Sequence, residues 1–256
     1  MYPKIIVAIF VFVNIFFLVA VIKRKFSVID IGWGLGFIVV AMISYFHHPM
    51  SVKNALLLLV TTAWGLRLGL YILLRSKGHP EDPRYTKLRH EWGANANLQA
   101  YLKVFLLQGF FMFIVSLPIT VGMAQEDKDL NLINYAGLVL WFFGFILEVS
   151  SDAYLNWFKK QPENNGKLCT TGPWKICRYP NYLGEISLWY GIFFLGLGSS
   201  SWWTIIGPLL INVLILKFSG VPPQEERNKN RPEYADFARR TPRLLPFKTT
   251  KNTTPP

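Results

Sequence analysis

Long apolar runs separated by short basic segments constrain this chain more than any other feature. The first run, Ile5 to Ile22, has one polar interruption, Asn14, and stops at Lys23-Arg24-Lys25. A run of that length crosses a bilayer as a helix, because a helix satisfies every backbone group without water. No small-residue cleavage site closes it, so a retained first helix is expected. Comparable runs follow at about residues 26–46, 55–74, 104–121, 132–149, 182–197 and 202–218. The chain is therefore predicted to be all-α: a polytopic membrane protein of about seven transmembrane helices. Hydrophobic residues make up 52% of it and charged residues 16%, which excludes an ordinary soluble domain.

Basic residues orient the spans, since cytosolic segments collect Lys and Arg. Three fall at 23–25, five at 75–100, five at 156–180 and eight after Gly220, whereas the alternate side holds Lys4, Lys53 and Lys128. The expected topology places the N-terminus outside and the C-terminus in the cytosol. A net charge of +12 arranged in this way describes a membrane face rather than a nucleic-acid partner. One domain is expected over 1–247, with cytosolic loops at 75–100 and 156–180, a C-terminal cap at 220–247 and a disordered tail at 248–256. Ser199-Ser200-Ser201 before Trp202 and Trp203 reads as a tight hairpin with indoles at the interface. No internal repeat is visible, which weighs against a secondary transporter. Cys169 and Cys177 match neither a disulfide framework nor a zinc spacing, and no metal site is expected.

Ionisable groups inside a span need a partner or a purpose. Asp30 lies just inside the second span, one turn from the basic cluster. Either it pairs with Lys23 or Arg24, or it faces a cavity as an acid. Glycines 32, 34 and 36 are spaced for close helix packing rather than for dinucleotide binding. Arg67 shares a helix face with Trp64 and Tyr71; it either reaches the cytosolic surface or holds a phosphate or carboxylate in a pocket. Glu148, Asp152 and Asn156 form one stripe at the end of the fifth span. A basic turn, Gly172 to Tyr179, then feeds a helix beginning at Pro180, with Asn181 and Glu185 one turn apart and Arg178 at the helix start. The segment Gly220 to Phe247 mixes charges and aromatics. It reads as a folded element that either lies on anionic lipid or caps an opening between helices.

The run Arg178-Tyr179-Pro180-Asn181-Tyr182-Leu183-Gly184-Glu185 resembles the C-terminal signature of the steroid 5-alpha-reductase superfamily. Ser151-Asp152-Ala153-Tyr154-Leu155 and the ending Tyr234 to Phe247 are similar to the elements that flank it there. The match is nearest to a bacterial branch of unassigned substrate, to which Asp30-Ile31-Gly32-Trp33-Gly34 and Trp64-Gly65-Leu66-Arg67 also look similar, and it covers roughly 26–247. The resemblance implies a seven-helix enzyme, in the plasma membrane if bacterial, that holds NADPH in a cavity open to the cytosol. Its expected reaction is reduction of a carbon–carbon double bond conjugated to a ketone in a hydrophobic, lipid- or steroid-like molecule from the bilayer. By position, Asp152, Arg178, Asn181, Tyr182 and Glu185 are expected to contact the cofactor, joined by Lys159 and Arg227, with Arg67 near the phosphates or the substrate. Where steroid reductases hold the ketone oxygen with a Glu and a Tyr, the positions expected to serve here are Asp30, in its protonated form, and Trp64. A second class shares part of the signature: membrane methyltransferases that use S-adenosylmethionine and act on isoprenylcysteine or phospholipid.

Overall fold

The computed structural model describes residues 1–125 and 129–244. Glu126, Asp127 and Lys128, the last residues of the expected cap and the tail at 248–256 lie outside the described residues. The helices are α1 (Tyr2–Lys23), α2 (Val28–His47), α3 (Val52–Ser76), α4 (Pro83–Trp92), α5 (Ala96–Ala100), α6 (Leu107–Val115) and α7 (Leu117–Ala124). They continue with α8 (Leu132–Lys160), α9 (Pro180–Gly196), α10 (Ile206–Val213), α11 (Val221–Asn228) and α12 (Pro232–Arg240). No strand occurs among the described residues.

Six stretches are long and apolar enough to cross a membrane: Tyr2–Lys23, Val28–His47, Val52–Ser76, Pro83–Ala124, Leu132–Lys160 and Trp202–Asn228. This is an all-α integral membrane protein. The remaining expected run, 182–197, is also helical, as α9, but its 17 residues rise only about 25 Å, short of a hydrocarbon core about 30 Å thick. Two boundaries differ from those expected. The segment 75–100, expected as a loop, contains α4, because Asp82 accepts the Arg84 backbone N–H at 2.9 Å and Pro83 opens the first turn. Helix α8 runs past Val149 to Lys160 and so carries the whole stripe Glu148, Asp152 and Asn156 on one rod.

The chain forms two compact units, one of residues 1–138 with 190–210, the other of 139–189 with the chain from Ile211. In the first unit α2 and α3 cross backbone to backbone. A Cβ on Gly34 would stand 2.5 Å from the Gly65 carbonyl oxygen, and one on Gly36 would meet the Met112 thioether. Glycine here permits the close approach that the spacing predicted. Phe37 and Trp64 meet edge to face at 5.7 Å in the buried core. The entry to α8 is capped reciprocally: Asn131 Oδ1 accepts from Ile133 and Asn134 N–H, while Asn134 Oδ1 accepts from Asn131 N–H. The Asn134 amide also reaches the carbonyls of Phe194, Leu195 and Leu197 at 3.0–3.1 Å, satisfying the end of α9. Beyond α9, the Ser201 hydroxyl accepts from Gly198 N–H and half-exposed Trp202 and Trp203 follow, as the expected hairpin requires.

In the second unit the C-terminal half of α8 lies against the start of α9. A Cβ on Gly184 would stand 2.6 Å from the Gly144 carbonyl and 2.7 Å from the Glu148 nitrogen. This crossing brings buried Glu148 and Asp152 onto the face where α9 begins. Loop residues Cys169 and Trp174 join Phe158 of α8 and Phe237 of α12 in a small apolar cluster, so α12 folds onto its own unit.

Candidate functional site

Each unit holds one dense polar cluster. In the first, Asp30 occupies the first turn of α2. Its Oδ1 accepts from the Tyr85 hydroxyl at 2.6 Å and its Oδ2 from Arg84 Nη2 at 3.0 Å. The Arg84 guanidinium also donates to both oxygens of Asp82, at 3.0 and 3.1 Å. One guanidinium thus serves two carboxylates. The neighbouring residue Glu81 caps α2 from a distance in sequence, accepting from Phe26 and Ser27 N–H at 2.8 and 2.9 Å. Arg89 stacks its guanidinium 3.8 Å from the Phe26 ring centroid and reaches Glu81 at 3.4 Å. The segment 79–89 is thereby pinned to the turn between α1 and α2.

Asp30 therefore has Arg84 and Tyr85 as partners, rather than the Lys23 or Arg24 of the basic cluster. Trp64 is fully buried against Phe37. Phe37 lies seven residues beyond Asp30, about 10 Å along the helix. Arg67 sits on α3 with its guanidinium 5.2 Å from the Tyr71 ring, and the Arg75 guanidinium lies 5.4 Å from the same ring. The apolar pattern of the sequence does not single out Glu81, Arg84 and Tyr85. The cue for them is the string Glu81-Asp82-Pro83-Arg84-Tyr85, a capping signal with charged and aromatic residues that break the apolar runs.

In the second unit Arg178 is the hub. Its side chain is 12% exposed, and Nη1 donates to Glu225 Oε1 at 3.3 Å and to the Tyr234 hydroxyl at 3.1 Å. Arg178 backbone N–H donates to the Pro242 carbonyl at 2.9 Å, tying the basic turn to the segment after α12. Arg243 approaches the same Glu225 with a two-pronged grip, Nε to Oε1 at 3.0 Å and Nη2 to Oε2 at 2.7 Å. Tyr179 shares a hydrogen bond with Tyr234, hydroxyl to hydroxyl at 3.1 Å, and stacks on Tyr182 with centroids 5.9 Å apart. Burial pushes the Tyr179 phenol well above its ordinary value, helped by the bond to Tyr234, so it stays neutral.

Tyr182 donates to the Gly220 carbonyl at 3.2 Å, and the Asn181 amide approaches Asp152 Oδ1 at 3.5 Å, long for a hydrogen bond. Asp152, Arg178, Asn181, Tyr182 and Glu185 thus belong to the end of α8, the basic turn and the start of α9. Lys159 and Arg227 are exposed on the last turns of α8 and α11. Glu225, Tyr234 and Arg243 join the cluster without a cue of their own in the sequence, beyond lying in the charged and aromatic C-terminal segment expected to fold. The thiols of Cys169 and Cys177 are buried, which raises both above the usual thiol range. Among the described residues no group of three or more His, Cys, Asp or Glu is arranged to hold a metal ion.

The donor set of the second unit fits an anionic dinucleotide in kind. Two guanidinia gather on one oxyanion, as phosphate recognition requires, and an acid and an amide side by side suit hydroxyl or carboxamide groups. Among known proteins, the model of a family described as "Protein of unknown function (DUF1295)" matches residues 16–241. The chain is 34% identical over 82 residues to the nickel-cobalt-cadmium resistance protein NccN of Alcaligenes xylosoxydans xylosoxydans, 31% of this chain and 36% of that one. It is 34% identical over 84 residues to the cobalt-zinc-cadmium resistance protein CzcN of Cupriavidus metallidurans, 32% of this chain and 37% of that one. The likeness thus spans little more than a third of the length of these curated relatives. No solved structure matches the chain.

Proposed function

The chain belongs to the DUF1295 family, and from that premise we propose that it is a membrane-embedded, NADPH-dependent reductase of a carbon–carbon double bond conjugated to a ketone, acting on a lipid- or steroid-like molecule. The observation that carries this reading is the cluster built by Asp152, Arg178, Asn181 and Tyr182. These are the residues by which the sequence resembles the steroid 5-alpha-reductase superfamily, and they gather on one short stretch of α8, turn and α9 in the second unit. NADPH, when bound, supplies the hydride. In this reading Arg178 holds its phosphates, and Asn181 and Asp152 fix its polar groups.

The first unit, taken by itself, holds a further candidate group. Negative charge develops on the ketone oxygen as the β-carbon is reduced, so a donor aimed at that oxygen stabilises the transition state selectively. Tyr85 carries such a donor. Asp30 accepts from the Tyr85 hydroxyl at 2.6 Å and from Arg84 at 3.0 Å, so in this reading the acid orients the phenol. Tyr85 thereby joins Asp30 and Trp64, the pair expected from the sequence, as a candidate donor to the ketone oxygen. A ketone oxygen arriving at Tyr85 Oη competes with Asp30 for one proton.

Native mass spectrometry of the full-length protein in detergent, with NADPH, NADH or S-adenosylmethionine added, tests the reading. Selective retention of NADPH, followed by its oxidation in the presence of an enone lipid, is the expected result. Retention of S-adenosylmethionine instead would replace reduction by methyl transfer, and retention of none would reject the reductase.

A further inference from the structure

Glu225 is held as a ligand is held. Arg243 grips it through two parallel N–H donors, at 3.0 and 2.7 Å, the geometry by which guanidinium recognises phosphate as readily as carboxylate. Arg178 adds a second guanidinium at 3.3 Å. Two positive charges therefore face a carboxylate that carries one negative charge. The Tyr234 hydroxyl is also at hydrogen-bond distance of the Arg178 guanidinium and shares a hydrogen bond with Tyr179. The fit is also short of acceptors, because the buried Nε of Arg178 has no hydrogen-bond partner among the described residues. A carboxylate offers two oxygens, whereas a phosphate offers three and carries up to two charges. A salt bridge whose only task was to fasten α11 to the basic turn would need neither the second guanidinium nor the spare donor.

We propose that Arg178 and Arg243 form a seat for a phosphate or pyrophosphate group of the ligand, and that Glu225 occupies that seat in the free protein and is displaced when the ligand arrives. The side chain of Arg243 is 51% exposed and that of Glu225 26%, so both ends of this pair are partly open. Displacement frees a carboxylate on α11 and transfers both guanidinia to the incoming group, which makes occupancy a competition between an internal and an external anion. The proposal rests on the reading of Arg178 as a phosphate-binding residue, and not on which reaction follows.

The test is a titration of the full-length protein in detergent with inorganic pyrophosphate and, separately, with NADPH, comparing wild type, Glu225→Gln and Glu225→Asp. Removing the competing charge in Glu225→Gln is expected to tighten pyrophosphate binding about tenfold, the scale of one charge-assisted contact. Glu225→Asp keeps the charge but is one methylene too short to reach both arginines, and is expected to tighten binding by a smaller factor. Adding Arg243→Met to Glu225→Gln should abolish the gain. Unchanged or weaker pyrophosphate binding in both Glu225 variants overturns the seat and leaves Glu225 as a fastening. If pyrophosphate binding tightens while neither wild type nor variant retains NADPH, the seat stands and the reductase reading fails. Retention of NADPH by wild type, with no gain in pyrophosphate binding by either variant, overturns the seat and leaves the reductase standing.

Discussion

The hydrogen-bonded hubs of the two polar clusters are built differently. Around Asp30 the Arg84 guanidinium hydrogen-bonds two carboxylates, Asp30 and Asp82, and the Tyr85 phenol donates to Asp30. Around Glu225 two guanidinia answer one carboxylate. A surplus of acceptors is suited to orienting a proton donor toward a neutral carbonyl. A surplus of cations is suited to recruiting an anion. The contrast separates the two clusters as each stands by itself: a phenol is held by an acid in the first unit, and two guanidinia meet on one acid in the second.

The sharpest way to break this division is to disturb each cluster and see which property moves. Tyr85→Phe removes the phenolic proton and leaves Asp30 paired to Arg84; turnover is expected to fall about 100-fold, the lower range for a positioned proton donor, with NADPH affinity unchanged. Asp30→Asn should lower turnover in the same direction. Equal loss of turnover and of cofactor binding in either variant would make the first cluster structural. Next in size, Arg178→Ala is expected to weaken NADPH binding at least tenfold, because a buried charge-assisted contact is lost. Glu225 keeps Arg243 as its partner in that variant, so the thermal midpoint should change little, and an Arg178→Ala protein that binds NADPH normally would remove the cationic cluster from the cofactor.

A smaller effect tests the scaffold of each unit. Gly34→Ala and Gly184→Ala each drive a methyl into backbone, against Gly65 in one unit and Gly144 in the other. Each is expected to cost about 1–3 kcal/mol, read as a lowered melting temperature in detergent. Tolerance at Gly184 with loss at Gly34 would show that the second unit's crossing is looser than its geometry implies. The smallest expected signal concerns the thiols. Burial raises Cys177 above the ordinary thiol range, so its thiolate fraction at neutral pH falls below that of a free cysteine. Alkylation at pH 7 should therefore be slow in the native protein, rise as pH climbs through the elevated value, and become rapid on unfolding. Fast labelling of the folded protein would contradict the packing around the basic turn.

Much of the architecture is legible in the sequence because the bilayer imposes one rule on length and another on polarity. Apolar runs locate the helices, and glycine spacing locates a crossing. The expected cofactor residues at 152, 178, 181 and 182 lie in one unit, at the end of one helix, in a turn and at the start of the next. Trp64 illustrates where that logic ends. It sits three residues from Arg67 on one helix face, which suggests a pocket, yet it is buried core against Phe37, because an indole on a helix crossing and an indole on a cavity wall have the same spacing.

What the sequence by itself determined is the set of segments that must leave water and the charged residues that must find partners. Those are local properties, set by transfer free energy. Which partners the charges found was decided only by the tertiary structure. Asp30 meets Arg84 and Tyr85 across 54 and 55 positions, and Arg178 meets Glu225 across 47, because α4 returns to the α1–α2 turn and α11 and α12 return to the basic loop. No periodicity encodes such returns. They follow from the packing of apolar faces and from the cost of leaving a charge unpaired, and they determine which polar groups form a site.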